Sequence, residues 1–461
     1  MVFKIKSLDD DNIYSKNYIN SLCEYYEKLS LREKLDCIVI RASKDTISLV
    51  NITALFISNV NFAVLSEEME TNKIKNLFSN KKILILDTKN FFKLNDREFP
   101  KSLFSDKLKK AERNENRKIL YLSSGSTGNP KLIENNSKSA FSCHKKVINL
   151  FNIDKNLNHI LCFHSNSFVI SLNYVLLGLL CELELITIYK GGPLKLISSI
   201  KKIGTTSIII SVPSFWEKLV LIIAGQSIKI NTVISCGEPL KFDTAKKINK
   251  FVSNQFFNFY GAAEFSTWIF YFLITNDYLN DKKNKDEIFV PIGKTLKEVN
   301  YVIDQNDLLG INCEHMASFY IKNNFQKYKV DSKVIKNKTF IFVGDRIKIK
   351  EGKAYCLGRI DGLVKIKGIF VDIFKLQELL VKLCKDRQFV FVVGRDETIY
   401  LFIDSNNITK EDKELFNKKI LNNIKKILNP QIILRILFED KGLKLNRSSK
   451  VDKFYYKKLV N

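Results

Sequence analysis

The sequence has no pair of cysteines at CxxC spacing, no apolar stretch long enough to span a bilayer, no internal repeat and no extended low-complexity linker. Each absence excludes something. Nine scattered cysteines (Cys23, Cys37, Cys143, Cys162, Cys181, Cys236, Cys313, Cys356, Cys384) form no disulfide framework, which points to reduced, mostly buried thiols and a cytoplasmic compartment. The longest apolar stretch, Phe168 to Cys181, is interrupted by Ser171 and Asn173 and is too short for a transmembrane helix. Met1 to Asp11 alternates charged and apolar side chains, unlike a signal peptide. The expectation is a soluble protein without a transmembrane segment.

What is present is an ordinary globular balance, 45% hydrophobic and 27% charged, in 461 residues, enough for two or more domains. Lys and Arg number 74 against 49 Asp and Glu, a formal net charge of +25. The excess is mostly Lys spread among Asn and Ile, as in the tracts Lys282 to Lys285 and Lys418 to Lys426. It lacks the clustering with aromatics of a nucleic-acid groove, so no specific nucleic-acid partner is expected.

Short β-branched runs read as buried strands: Ile83 to Leu86, Ile119 to Leu122, Ser207 to Val212 and Val233 to Cys236. Helical spacing occupies Ser137 to Phe151 and Asp243 to Asn254. Their alternation predicts an α/β fold with a largely parallel sheet. After Gly358 to Gly362 the pattern changes. Val390 to Val393 and Tyr400 to Ile403 predict a strand pair around the turn at Arg395 to Glu397, followed by a helix over Glu411 to Ile427 and a strand over Ile432 to Phe438. The expected organisation is therefore a large α/β domain of layered sheets and helices over residues 1–357, and a small, mobile α+β domain over residues 358–461.

One loop carries most of the chemical information. Directly after Leu122 stands Ser123-Ser124-Gly125-Ser126-Thr127-Gly128-Asn129-Pro130-Lys131. Gly125 and Gly128 let backbone amides approach a phosphate, Ser124, Ser126 and Thr127 add hydroxyl donors, and Lys131 adds a point charge. The order is not that of a Walker A loop, GxxxxGK followed by Ser or Thr.

This segment resembles the signature loop of the ANL superfamily, the adenylate-forming group of acyl-CoA synthetases, peptide-synthetase adenylation domains and luciferases. The match runs from Ser123 to Lys131, with Leu132 where Gly is usual. Further elements follow in family order. Gly237-Glu238-Pro239-Leu240 is similar to the GExL element beside the adenine. Tyr260-Gly261-Ala262-Ala263-Glu264 resembles YGxTE, whose Tyr lies on the adenine and whose Glu holds Mg²⁺. Gly344-Asp345 resembles the pair whose carboxylate accepts the ribose hydroxyls. Gly358-Arg359-Ile360-Asp361 and Lys365-Ile366-Lys367-Gly368 resemble the hinge and thiol-channel stretch. Leu445 to Asp452 resembles the loop of the catalytic lysine, here Lys450.

Taken singly these are weak signals: an Asp after Gly is usually a turn residue, and Lys450 alone would be one more solvated charge. Their joint order carries the resemblance. Four departures stand out. Ala263 replaces a Thr, Ser449 replaces a Gly, Lys444 stands where Pro is common, and Lys375-Leu376-Gln377 replaces an acidic stretch. The Glu, Asp, Arg and Lys of the motifs remain.

The resemblance implies an acid–thiol ligase: ATP and Mg²⁺ activate a carboxylic acid as acyl-AMP, and CoA or another phosphopantetheine thiol receives the acyl group. By alignment Val169 occupies the position of the Asp that pairs with a substrate ammonium, which favours a fatty or aryl acid over an α-amino acid. His164 falls at a residue that gates the acyl pocket, or else is simply packed in a buried segment. With no carrier domain after Asn461, free CoA is the expected acceptor and a separate acyl carrier protein the alternative. A basic binding protein without catalysis is the reading from another class.

Overall fold

In the computed structural model, the residues described are 3–87, 104–122, 132–153, 157–284, 287–317, 319–322, 325–360, 363–366, 369–384, 387–406, 408–425, 427–446 and 451–461. Two large sheets dominate. The first runs, in spatial order, Lys294–Thr295, Thr267–Leu273, Val252–Ala262, Ile230–Cys236, Ser207–Ser211, His159–Cys162, Glu184–Thr187, Lys4–Ser7 and Ile13–Ser15. Its central strands, from Val252–Ala262 to Lys4–Ser7, are parallel throughout. The second runs Gln326–Lys329, Phe319–Lys322, Leu132–Asn136, Lys118–Leu122, Phe62–Ser66, Cys37–Ala42 and Ile83–Leu86. A third, antiparallel sheet contains Lys338–Lys350 and Lys353–Arg359.

The strand sequences explain the layering. In Ser207–Ser211, Ile208 and Ile210 join one core while Ile209 joins another. In Cys37–Ala42, Ile38 and Ile40 join that same first core and Val39 a third. Strands covered on both faces need apolar side chains at every position, which is why these runs do not alternate with polar residues. The shared core between the two sheets is filled by helices Thr46–Ile57 and Ile170–Cys181, which are apolar nearly all round and almost wholly buried. Phe168 to Cys181, the longest apolar stretch, is thus largely a core helix, and among the described residues no helix is long and apolar enough to cross a membrane.

The C-terminal residues form separate cores. One contains Ile366, Leu376, Phe391, Leu401 and Ile424, the other Val390, Val392, Phe402 and Tyr456. The antiparallel pair Phe389–Val393 and Ile399–Asp404, the helix Lys410–Ile424 and the parallel strand Leu434–Glu439 agree with the sequence expectation. Helices end earlier than their spacing predicts at Ser137–Ile148 and Lys410–Ile424, and most of all at Phe242–Asn249. Phe242–Asn249 ends early, and Val252 to Asn254 belong to the strand Val252–Ala262. Ladder pairing decides this: the Ile230 amide already donates to Phe251 O, and Val252 lies opposite Ile230.

Candidate active site

The parallel strands of the first sheet end on one edge, the usual position for a ligand crevice in such sheets. His164 follows the strand His159–Cys162, Ser211 ends Ser207–Ser211, Gly237 follows Ile230–Cys236, and Tyr260 lies near the end of Val252–Ala262. Cys236 lies opposite Phe259, so Gly237 and Tyr260 emerge side by side.

At Gly261 the strand is irregular: the register shifts between Tyr260 and Gly261, where the neighbouring strand Thr267–Leu273 crosses closely. A β-carbon at Gly261 would sit 1.7 Å from Thr267 O, so only glycine fits. Gly237, at φ 82°, turns the chain out of its strand in the left-handed region. The carboxylate of the following Glu238 then accepts the Ser214 amide at 3.0 Å, at the start of helix Pro213–Ile222.

Three predicted residues converge. Tyr260 donates to Asp345 Oδ2 at 2.5 Å, and Arg359 Nη1 lies 3.4 Å from Asp345 Oδ1. Asp345 and Arg359 are cross-strand partners of the hairpin formed by Lys338–Lys350 and Lys353–Arg359, which sets that pair. Tyr260 is half-buried against the main core, and desolvation, then the Asp345 charge, raise its pKa far above that of a free phenol. It is a donor, and stays one.

Glu264 stands on the short turn Ala263–Phe265 beyond Tyr260. Its Oε1 accepts the Tyr320 hydroxyl at 2.9 Å, and its main-chain oxygen accepts the Ala317 amide at 2.6 Å. Ala263 O accepts Asn135 Nδ2 at 2.9 Å. Among the described residues no group of three or more His, Cys, Asp or Glu side chains converges into an all-protein metal cage. A lone carboxylate suits Mg²⁺, which keeps several waters and takes its remaining ligands from substrate phosphates.

His164 is buried, with Nε2 3.0 Å from Ser211 Oγ and its ring beside those of Phe163 and Phe215. Burial, with Lys44 adding to it, lowers its pKa to about 3, so the ring is neutral. Val169 precedes helix Ile170–Cys181 and packs, half-buried, against the main core. Ser124, Gly125, Ser126, Thr127, Gly128, Lys131, Asp361, Gly368 and Lys450 lie outside the described residues.

Several contacts had no signal in the sequence. Tyr320, Ala317 and Asn135 belong to none of the sequence motifs, and only packing brings them to Glu264. Arg346 donates to Asp372 Oδ2 at 2.9 Å, while Asp372 Oδ1 accepts the Phe374 amide at the start of helix Ile373–Cys384. The buried Gln388 donates to Ser214 O at 3.3 Å. The first contact ties the C-terminal residues to the third sheet and the second to helix Pro213–Ile222.

The layered α/β fold thus gathers a phenol, a carboxylate and a guanidinium beside the carboxyl edge of its parallel strands. Residues 42–310, more than half of the chain, match the AMP-binding enzyme family. The chain belongs to that family, within the ANL superfamily. It is 25% identical over 276 residues to the D-alanine–D-alanyl carrier protein ligase of Staphylococcus aureus (strain Newman), covering 58% of this chain and 55% of the relative. The chain thus spans about half the length of the curated relatives it matches. Its fold is similar to that of IdnL7 (TM-score 0.75, 13% identity, 99% of this chain and 94% of that one). It is also similar to ATP-bound MatB from Rhodopseudomonas palustris (TM-score 0.72, 14% identity, 99% and 95%).

Proposed function

We propose that the protein activates a carboxylic acid with ATP as an acyl-adenylate and passes the acyl group to a thiol. The observation that carries this is the convergence of Tyr260 and Arg359 on Asp345 at the carboxyl edge of the parallel strands. A carboxylate held there, beside an aromatic ring, suits the ribose diol and adenine of a nucleotide. Gly237, Glu238, Pro239 and Gly261 supply the backbone around it, and Ser124, Gly125, Ser126, Thr127, Gly128 and Lys131 the donors for the phosphates.

In the first step a carboxylate oxygen of the acid attacks the α-phosphorus, an acyl–phosphate bond forms, and pyrophosphate leaves. Negative charge grows between nucleophile and leaving group, and Lys450 bridges them. Glu264 holds Mg²⁺, which neutralises phosphate charge when bound. In the second step the thiolate attacks the acyl carbon and AMP leaves as the thioester forms. Residues 1–357 and 358–461 act as two domains, a division supported by the separate C-terminal cores. Rotation about Asp361 exchanges Lys450 for the Gly368 loop between the two steps.

Val169 offers no counter-charge for an α-ammonium, which favours a fatty or aryl acid; an α-amino acid is the second reading, since the carrier-protein ligases that the chain resembles are named for D-alanine. For the thiol, similarity to carrier-protein ligases favours a carrier protein's phosphopantetheine. Free CoA is the second reading, and both acceptors present the same reacting group. Nine cysteines, none of them in a disulfide, suit a reducing cytoplasm. ATP–pyrophosphate exchange with a panel of acids tests the proposal. Acid-dependent exchange is expected, and folded protein that exchanges with none of them sinks it.

A further inference from the structure

The turn that carries Glu264 joins two strands of the first sheet, yet it is gripped by residues of the second. Tyr320 lies on Phe319–Lys322 and Asn135 on Leu132–Asn136, which are neighbouring antiparallel strands with Tyr320 opposite Ile133. Leu132–Asn136 starts directly after residues 123–131, the phosphate loop of the sequence reading. One strand pair therefore both follows that loop and holds the acidic turn.

The grip has a backbone part and a side-chain part. Ala317 N and Asn135 Nδ2 hold the main-chain oxygens of Glu264 and Ala263. That fixes where the Glu264 side chain starts but leaves its torsions free. The Tyr320 hydroxyl, 2.9 Å from Oε1, fixes where it ends. One hydrogen bond uses one of roughly four acceptor sites on a carboxylate and leaves the others open to a cation or its waters.

We propose that Tyr320 is a positioning residue for nucleotide-bound metal: its hydroxyl holds the Glu264 carboxylate in one rotamer, ready for the cation that arrives with the triphosphate. This rests on reading Glu264 as the carboxylate that holds Mg²⁺. The same hydrogen bond places Glu264 relative to the strand that follows the phosphate loop. The metal is then met by a carboxylate whose place is set before binding.

The test uses Mn²⁺ with ATP as the probe, followed by electron paramagnetic resonance on wild type, Tyr320→Phe, Glu264→Gln and the double variant. Thermal unfolding serves as the fold control, and metal titration of ATP–pyrophosphate exchange as a second readout. Tyr320→Phe keeps the ring and removes only the donor, so Mn·ATP binding should weaken roughly tenfold, the worth of one hydrogen bond to a charged group. The metal concentration for half-maximal exchange should rise by a similar factor, with the effect on the metal requirement rather than on the saturated rate. The double variant should bind no worse than Glu264→Gln alone, since both changes remove one interaction.

Unchanged binding in Tyr320→Phe, or losses that add in the double variant, would overturn the proposal. If Tyr320→Phe does not fold, Tyr320→His supplies the second measurement. Its ring N–H should keep Mn·ATP binding tighter than in Glu264→Gln, and binding no better than that overturns the proposal. Folded wild type that binds no Mn·ATP overturns the nucleotide reading itself, and this inference with it.

Discussion

Tyr260 and Asp345, 85 residues apart in the chain, share a 2.5 Å hydrogen bond in which the phenol donates to Oδ2. The other carboxylate oxygen faces Arg359 at 3.4 Å. Asp345 is therefore contacted from both sides, Oδ1 by the guanidinium and Oδ2 by the phenol. A nucleotide diol arriving there meets a carboxylate that is already ordered.

Asp345→Ala should weaken ATP binding by about 1.5–3 kcal/mol for each ribose hydroxyl that loses its acceptor. Tyr260→Phe keeps the ring and should cost less, because Arg359 still orients the carboxylate. Calorimetric titration with ATP ranks the two. An unchanged affinity in folded Asp345→Ala removes Asp345 from the site.

The two half-reactions should separate by mutation. Lys450→Ala should abolish acyl-AMP formation yet leave the transfer of supplied acyl-AMP to a thiol nearly intact. Gly368→Trp should do the reverse, by blocking the thiol path while ATP chemistry continues. Ser449, with a β-carbon beside Lys450 where Gly is usual, predicts a slow first step even in the wild type. Equal loss of both half-reactions in both folded variants is incompatible with a rotation between two arrangements.

Acid should destabilise the fold through its histidines. Burial is the largest cause in each case, lowering His144 to about 4 and His164 and His315 to about 3. In the unfolded chain each titrates near 6.5. Unfolding therefore takes up protons below that pH, and the stability present in full above about 6.5 is lost as pH falls toward the folded values. These three groups together contribute a slope of about 4 kcal/mol per pH unit, to which His159, also lowered by burial, adds. Neither ring nitrogen of His315 has a hydrogen-bond partner among the described residues. His315→Phe should thus flatten the slope by about a third without lowering stability at pH 7, as urea unfolding at pH 7 and 5.5 can establish. A steeper slope in the variant contradicts the account.

Binding to DNA or RNA should be weak and confined to low salt, since diffuse surface lysines are screened at physiological ionic strength. Filter binding across a salt series checks this. Submicromolar, sequence-preferring binding at physiological salt would promote the basic-binding reading over the enzymatic one.

The sequence by itself determined four strands of the two large sheets, at Ile83 to Leu86, Ile119 to Leu122, Ser207 to Val212 and Val233 to Cys236, and several motif segments at their ends. An apolar run such as Ile208, Ile209, Ile210 records that both faces are covered, and a Gly-rich loop after a strand records where a ligand can approach. It also determined the C-terminal order of strand, strand, helix and strand. It did not determine what lies across from a given residue in another layer. Tyr320 beside Glu264, Ser211 beside His164 and Arg346 beside Asp372 depend on how separate sheets stack and on strand register. The early end of helix Phe242–Asn249 has the same origin, in ladder pairing with Ile230–Cys236. Periodicity along a chain encodes burial of a face, whereas the partner on that face is chosen only when distant segments pack.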